Sequence, residues 1–293
     1  MGTRCGLVTL VGRTNVGKST LLNRIVGAKV SIVTAHPQTT IRAVQGVLTA
    51  GDRQAVFVDT PGLHKPVDRM GESLLDEVRG SLEHIDLVLA VVEPGDRALG
   101  GTRHLVSFLE AAGSPLAFLV VNKVDRVVHG DPAVRITAEE LSRVYPFKRV
   151  YPISASAGTG VEGLVHDVLD LLPEGPFLYP EDEISNVPQQ FYAAEILREK
   201  AMAATEDEIP HSIGVEILEL TKSEDGAFTI RAVLYVDRES RKGILIGAGG
   251  KKIKEIGSRA REELQDLLEA PVHLMTEVKV RKDWRKRPRT TGH

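Results

Sequence analysis

The sequence predicts a doubly wound α/β domain with a mostly parallel sheet, followed by a smaller α+β domain. Three observations carry this. Residues 1–173 alternate short apolar runs with helical stretches, residues 174–188 break both patterns with prolines, and residues 189–293 contain strands in which apolar and polar side chains alternate.

The apolar runs of the first part are "LVTLV", "AVFVD", "LVLAVV", "LAFLVV" and "VYPIS". A strand apolar on both faces belongs in a sheet covered on both sides, the usual setting of parallel strands joined by helices. In "VEGLVHDVLDLL", Val161, Leu164, Val165, Val168, Leu169 and Leu172 share one helical face. Pro173, Pro176, Pro180 and Pro188 fit neither helix interiors nor central strands, so 174–188 reads as a linker. After it the pattern gives a helix from Gln189 to Ala204, the strands "GVEILEL" and "FTIRAVLYV", a short helix over Ser240–Ile246 and a longer one over Lys251–Leu268. In the second of those strands Phe228, Ile230, Ala232, Leu234 and Val236 fall on the buried face.

Composition narrows the function classes. With 42% hydrophobic and 26% charged residues the chain sits among folded globular proteins, and no apolar run approaches the roughly 20 residues of a membrane span. The N-terminus shows no secretory pattern, and the lone Cys5 can form neither an internal disulfide nor a metal cluster, which fits a reducing cytoplasm. The nine histidines are scattered without ligand spacing. Net charge is −3, but Arg241–Arg261 and Lys279–Arg289 each carry +6, which leaves −15 on the remainder. An acidic body with a basic C-terminal end points to a polyanion bound at that end.

Gly12-Arg13-Thr14-Asn15-Val16-Gly17-Lys18-Ser19, followed by Thr20, fits G-x-x-x-x-G-K-[ST] at a strand-to-helix junction. Glycines let backbone N–H groups curl around a β-phosphate, Lys18 reaches the β and γ oxygens, and Ser19 can ligate Mg²⁺. Asp59-Thr60-Pro61-Gly62 ends a second buried strand, where the acid can orient magnesium's hydration shell and the Gly62 N–H can meet a γ-phosphate. Asn122-Lys123-Val124-Asp125 ends a third, and Asp125 can accept both donors of guanine's N1 and N2 edge, which selects GTP over ATP. Ser154-Ala155-Ser156 ends a fourth, with the Ala155 N–H available to guanine O6. All four fall at carboxyl ends of strands, the ligand edge of an open α/β sheet.

A second glycine loop, Gly247-Ala248-Gly249-Gly250 after Ile246, has no P-loop spacing; it fits the G-x-x-G loop of KH domains, which clamps single-stranded nucleic acid. Lys251, Lys252 and Lys254 place charge at a helix N-terminus, where phosphate is favoured. On the loop alone, a plain helix connection is the default reading.

Over nearly its whole length the chain resembles the translation-factor-like GTPases and, more closely, the Era family, through the four nucleotide motifs and through "REK", "IPHSIGVEI", "IKEIG" and "VKVRKDWR". The resemblance implies a P-loop GTPase domain over 1–173 and a type II KH domain over 189–293 with a basic tail. It implies GTP/GDP and Mg²⁺ as ligands, with Ser19, Asp59 and a switch threonine at the metal. Either Thr39 or Thr40 of "PQTTIR" fills that last role; Thr40 is the working choice, and spacing does not separate them. It implies the 3′ end of small-subunit ribosomal RNA as partner, with Arg281 and Lys282 as further RNA contacts, and a role in small ribosomal subunit assembly. DNA is not expected, and a monomer is. The basic tail leaves room for peripheral contact with anionic lipid at the inner face of the membrane.

Two positions qualify the chemistry. Leu63 stands where Ras-like GTPases carry the glutamine that orients the attacking water. Slow turnover, water held by another group, and binding without hydrolysis are the three readings, and slow hydrolysis sensitive to monovalent cations is favoured. Some relatives use an asparagine at the place of Asn15 to hold K⁺; a residue that only caps the loop is the alternative. With Lys18, Asn15, Thr40 and Gly62 as the catalytic set, the rivals are a non-hydrolysing GTP-bound scaffold and a GTPase whose KH-like domain binds protein or membrane. Ala248 stands where relatives often carry lysine, which removes one phosphate contact.

Overall fold

The structure, a computed structural model, describes residues 2–31, 33, 44–60, 85–96, 101–111, 113, 115–128, 131–185, 187–205 and 213–282. The chain divides into two compact units, Met1–Asn186 and Val187–His293.

The first unit is built on a six-stranded sheet in the order β2-β3-β1-β4-β5-β6. Its strands are β1 Arg4–Val11, β2 Val44–Ala50, β3 Arg53–Asp59, β4 Leu87–Val92, β5 Ala117–Val121 and β6 Arg149–Pro152. Only β2 runs antiparallel to its neighbour; the other pairings are parallel. Every residue of β4 and β5 is buried, as continuous apolar runs require in a sheet covered on both faces. Each buried Val, Leu or Phe of these two central strands contributes about 1.5–3 kcal/mol. β6 differs from the expectation for "VYPIS". As the edge strand it leaves Arg149, Val150 and Pro152 exposed, and burial resumes only at Ile153–Ala155, where the chain turns in beneath the site.

Four helices accompany the sheet among the described residues: α1 Lys18–Val26, α2 Gly101–Ala111, α3 Ala133–Val144 and α4 Val161–Asp170. α4 buries Val161, Leu164, Val168 and Leu169, the stripe its periodicity predicts, while Val165 is half-buried.

The proline-rich stretch read as a linker is fastened to the first unit over residues 174–185. Gly175 exchanges hydrogen bonds with Thr3, and the Val47 N–H on β2 donates to the Ile184 carbonyl at 2.9 Å. Gln54, fully buried on β3, donates Nε2 to the Tyr179 carbonyl and accepts the N–H groups of Leu178 and Tyr179 at 2.9 and 3.0 Å. Prolines keep this strap extended, and the sheet edge and one buried amide satisfy its backbone.

The second unit has a three-stranded sheet, β7 Gly214–Lys222, β8 Phe228–Val236 and β9 Val272–Val280, with β7–β8 antiparallel and β8–β9 parallel. Among the described residues helices α5 Gln189–Ala204, α6 Glu239–Ile246 and α7 Lys251–Leu268 accompany it. The five alternating residues of β8 are all buried, against Leu197, Ala201, Ile256, Ala260 and Leu264 of the helices. The helix–strand–strand–helix–loop–helix–strand order is that of the second type of KH domain. Among the described residues no helix is long and apolar enough to cross a membrane.

Candidate nucleotide site and nucleic-acid interface

The first site forms where β1, β3 and β5, and the turn after β6, end. Gly12 follows β1 so closely on β4 that a Cβ there would lie 2.2 Å from the Val91 carbonyl oxygen. Gly17 has φ 96° and would put a Cβ 2.3 Å from Asn122 Nδ2, so both motif glycines are required by sterics. Asn15, with φ 64°, also takes the left-handed conformation. Val16 is buried beneath the loop, Arg13 is exposed, and Thr14 and Thr20 are half-buried.

Lys18 opens α1 with its side chain inside, 6% exposed, where Nζ donates to the carbonyls of Gly12 and Arg13 at 3.1 and 3.0 Å. Burial lowers its pKa to about 8, against a partial rise from Asp59. A desolvated ammonium held by two neutral carbonyls fits a site meant to receive an anion. Next to it Ser19 Oγ donates to Asp59 Oδ2 at 2.6 Å, so a hydroxyl and a buried carboxylate stand together, a hard-oxygen donor set that suits Mg²⁺. Thr60 Oγ1 donates to the Leu10 carbonyl at 2.6 Å and staples the start of the D-T-P-G stretch to β1.

The base-recognition residues come from the other end. Asn122 is buried and acts as a brace: Nδ2 donates to the Val16 carbonyl at 2.8 Å, and Oδ1 accepts the Ala155 N–H at 2.9 Å. The Ala155 N–H expected at guanine O6 is therefore engaged by Asn122, while the Ser156 N–H makes no hydrogen bond among the described residues. Ser154 Oγ accepts the Ala157 N–H at 3.1 Å and shapes that turn. Lys123 donates Nζ to the Asn15 carbonyl and to Glu93. Asp125 lies in a short 3₁₀ turn, exposed and without a hydrogen bond or ion pair among the described residues, as an acceptor for a base edge should be.

Several residues at this site carry no motif. Arg24, in the last turn of α1, donates Nε to the Ala155 carbonyl at 3.1 Å and a second nitrogen to that of Ser156, so the phosphate-loop helix holds the base loop. Arg13 pairs with Asp96 at 2.7 Å, and Asp96 in turn accepts the Glu93 N–H at 3.0 Å. Ser31, buried, donates to Asp59 Oδ2 at 2.9 Å. Thr39, Thr40, Pro61, Gly62 and Leu63 lie outside the described residues.

The second site is the loop between α6 and α7. Gly247, Gly249 and Gly250 have φ of 73°, 57° and 77°, values that L side chains rarely adopt. A Cβ at Gly247 would also lie 2.7 Å from the Lys252 Cβ, whereas Gly249 and Gly250 face open space. Gly250 caps α7 without a side-chain hydrogen bond, so the helix start presents backbone N–H groups. Lys251 and Lys254 are exposed there; Ala248 is exposed, Ile246 and Lys252 half-buried. Lys282 is exposed. Arg281, expected at the RNA, sits over the Tyr235 ring at 5.1 Å and pairs with Glu216 at 3.6 Å, on the sheet face that alternates away from the helix-covered core. Trp284 and the tail beyond it lie outside the described residues.

Comparison with known proteins covers both units. Residues 7–123 match the family described as 50S ribosome-binding GTPase, and residues 208–285 match the KH domain family. GTPase Era of Staphylococcus haemolyticus (strain JCSC1435) is 42% identical over 282 residues, covering 96% of this chain and 93% of that protein. A crystal structure of Era in complex with MgGDPNP and nucleotides 1506–1542 of 16S ribosomal RNA aligns with a TM-score of 0.91 at 38% identity, over 98% of this chain and 96% of that one. A variant of Aquifex aeolicus Era bound to GDP·AlF₄⁻ aligns with the same score and identity, over 98% and 97%.

Proposed function

The chain belongs to the Era family of GTPases, and from that premise we propose that it is a magnesium-dependent GTPase that binds the single-stranded 3′ end of small-subunit ribosomal RNA and assists small-subunit assembly. One observation carries the reading: a single chain holds a phosphate cradle around a buried lysine and a G-x-x-G loop at a lysine-rich helix start. The relative aligned above over 98% of this chain was crystallised with a magnesium nucleotide and a 16S rRNA segment together.

The chain's own groups divide the work. Backbone N–H groups of the Gly12–Ser19 loop and the Lys18 ammonium wrap the β- and γ-phosphates, whose charge offsets the desolvation that weakens Lys18 as a cation. Ser19 and Asp59 hold magnesium, which when bound neutralises charge between the β and γ oxygens. Asp125 accepts from guanine N1–H and N2–H, and the Ser156 N–H, beside Ala155, serves O6. Thr40 or Thr39 and the Gly62 N–H complete the γ-phosphate contacts. With leucine at position 63 hydrolysis is slow, and Asn15 together with K⁺ supplies part of the missing charge stabilisation. The RNA backbone lies on Gly247–Gly250 with Lys251, Lys252 and Lys254 around it. The protein works as a cytoplasmic monomer, and its basic tail can touch anionic lipid at the membrane's inner face.

The test is an anisotropy titration of a labelled single-stranded 16S 3′-end oligomer against a scrambled one, with GTP turnover measured in K⁺ and in Na⁺. The reading expects preferential capture of the 3′-end oligomer and slow phosphate release that is faster in K⁺. Equal indifference to both oligomers, or phosphate release no faster than buffer, contradicts it.

A further inference from the structure

The nucleotide motifs do not account for Ser31. It is 4% exposed, in the connection after α1, six residues before Pro37 and the switch stretch. Its hydroxyl donates to Asp59 Oδ2 at 2.9 Å, the same oxygen that accepts Ser19 Oγ–H at 2.6 Å. The backbone that carries this hydroxyl is clamped from α1. Asn23 Oδ1 accepts the N–H groups of Val30 and Ser31, both at 2.9 Å, and Asn23 Nδ2 donates to the Ser31 carbonyl at 2.6 Å. One amide side chain thus holds both the N–H and the carbonyl of the residue that carries the hydroxyl.

We infer that Ser31 is a positioning residue for the magnesium site: Asn23 sets its backbone, and its hydroxyl fixes the plane of the Asp59 carboxylate. Two O–H donors on one carboxylate oxygen restrict rotation about the Cβ–Cγ bond. The two donors are not equivalent. The Ser19 oxygen is shared with the ion in the proposed complex, whereas Ser31 has only the carboxylate to serve. Ser31 therefore holds Asp59 in the same orientation before and after the metal enters, and the metal need not order it on arrival. A metal site needs such outer support, because an ill-oriented outer ligand lowers affinity about 10- to 100-fold.

This inference rests on the magnesium–guanine nucleotide reading, and the experiment separates the two. Release of fluorescent GDP is followed by stopped flow across free Mg²⁺ concentrations and in excess EDTA. Ser31→Ala is expected to raise the Mg²⁺ needed for half-maximal slowing of release about tenfold, with the rate in EDTA within twofold of wild type. Ser31→Thr, which keeps the hydroxyl, is expected to restore the wild-type curve. Ser31→Cys, close in volume but a weak donor, is expected to behave like alanine and guards against a packing defect. An unchanged Mg²⁺ curve for both alanine and cysteine overturns the proposal, as does release accelerated equally with and without Mg²⁺. Wild-type release indifferent to Mg²⁺ instead brings down the magnesium reading itself, and this inference with it.

Discussion

The two glycine loops of this chain are built under opposite constraints. In the loop at Gly12–Lys18 space is the constraint: added Cβ atoms at Gly12 and Gly17 would fall 2.2 and 2.3 Å from their neighbours, and the cation is buried. In the loop at Gly247–Gly250 dihedral angle is the main constraint: Gly249 and Gly250 face open space, and two of the adjoining lysines, Lys251 and Lys254, are exposed. An enclosed cradle with a desolvated amine suits a compact ligand that fills it and replaces water. An open turn with solvated cations suits a polymer backbone that passes over it. Burial of the cation, more than the number of glycines, separates a mononucleotide site from a polynucleotide one.

That contrast can be broken first at Lys18. Lys18→Met removes the buried cation, and truncating one partner of a buried charge pair costs about 2–5 kcal/mol. GDP affinity measured by calorimetry is expected to fall about 100- to 1,000-fold, with oligomer affinity unchanged in nucleotide-free protein. The mirror variant is Gly250→Glu. A side chain at φ 77° costs about 1–2 kcal/mol, and the new carboxylate repels phosphate. Oligomer affinity by anisotropy is expected to fall about 10- to 50-fold with GDP binding intact.

Salt sharpens the comparison. Three lysines near single-stranded phosphates give a log–log slope of about −2, so raising monovalent salt fourfold is expected to weaken RNA binding about 20-fold. GDP binding, dominated by enclosed contacts, is expected to respond far less. pH separates the loops in another way. Lys18 has a pKa lowered to about 8 in the nucleotide-free protein, whereas in the unfolded chain and beside bound phosphate it holds its proton to higher pH. Above about 8 the free native protein has therefore lost a proton that both other states keep. Native stability gains from this group as pH rises through that window, and GDP binding must take a proton up. GDP affinity is accordingly expected to drop about tenfold between pH 7.5 and 9, and Lys18→Met to abolish the dependence. The smallest effect belongs to Arg24, whose exposed guanidinium holds two base-loop carbonyls; Arg24→Ala is expected to weaken GDP about threefold, within the 0.2–1 kcal/mol of exposed polar pairs.

Much of this was legible in the sequence because it rests on local pattern. The helices Gln189–Ala204 and Lys251–Leu268 begin and end where their periodicity does, and each of the four nucleotide motifs sits at a strand end. Contacts between distant side chains were not legible. Ser31 and Asp59 are 28 residues apart, and Arg24 and Ala155 131 apart, with no periodic signal at either end. The strap at 174–185 was misleading for a related reason. Prolines announce that a segment is neither helix nor central strand, but not that a buried Gln54 will bond its backbone. The pattern offers the Ala155 N–H to guanine O6, whereas the fold already gives it to Asn122. Sequence names the groups that can act; only the fold shows which of them are already in use.

The most direct measurement loads the wild-type protein with fluorescent GDP, titrates in the single-stranded 16S 3′-end oligomer, and follows nucleotide anisotropy and RNA binding together. If the two loops serve two molecules, RNA saturates at one per chain while the nucleotide stays bound. Nucleotide released in step with RNA uptake would mean that both ligands compete for one site, and the partition between the loops would be wrong.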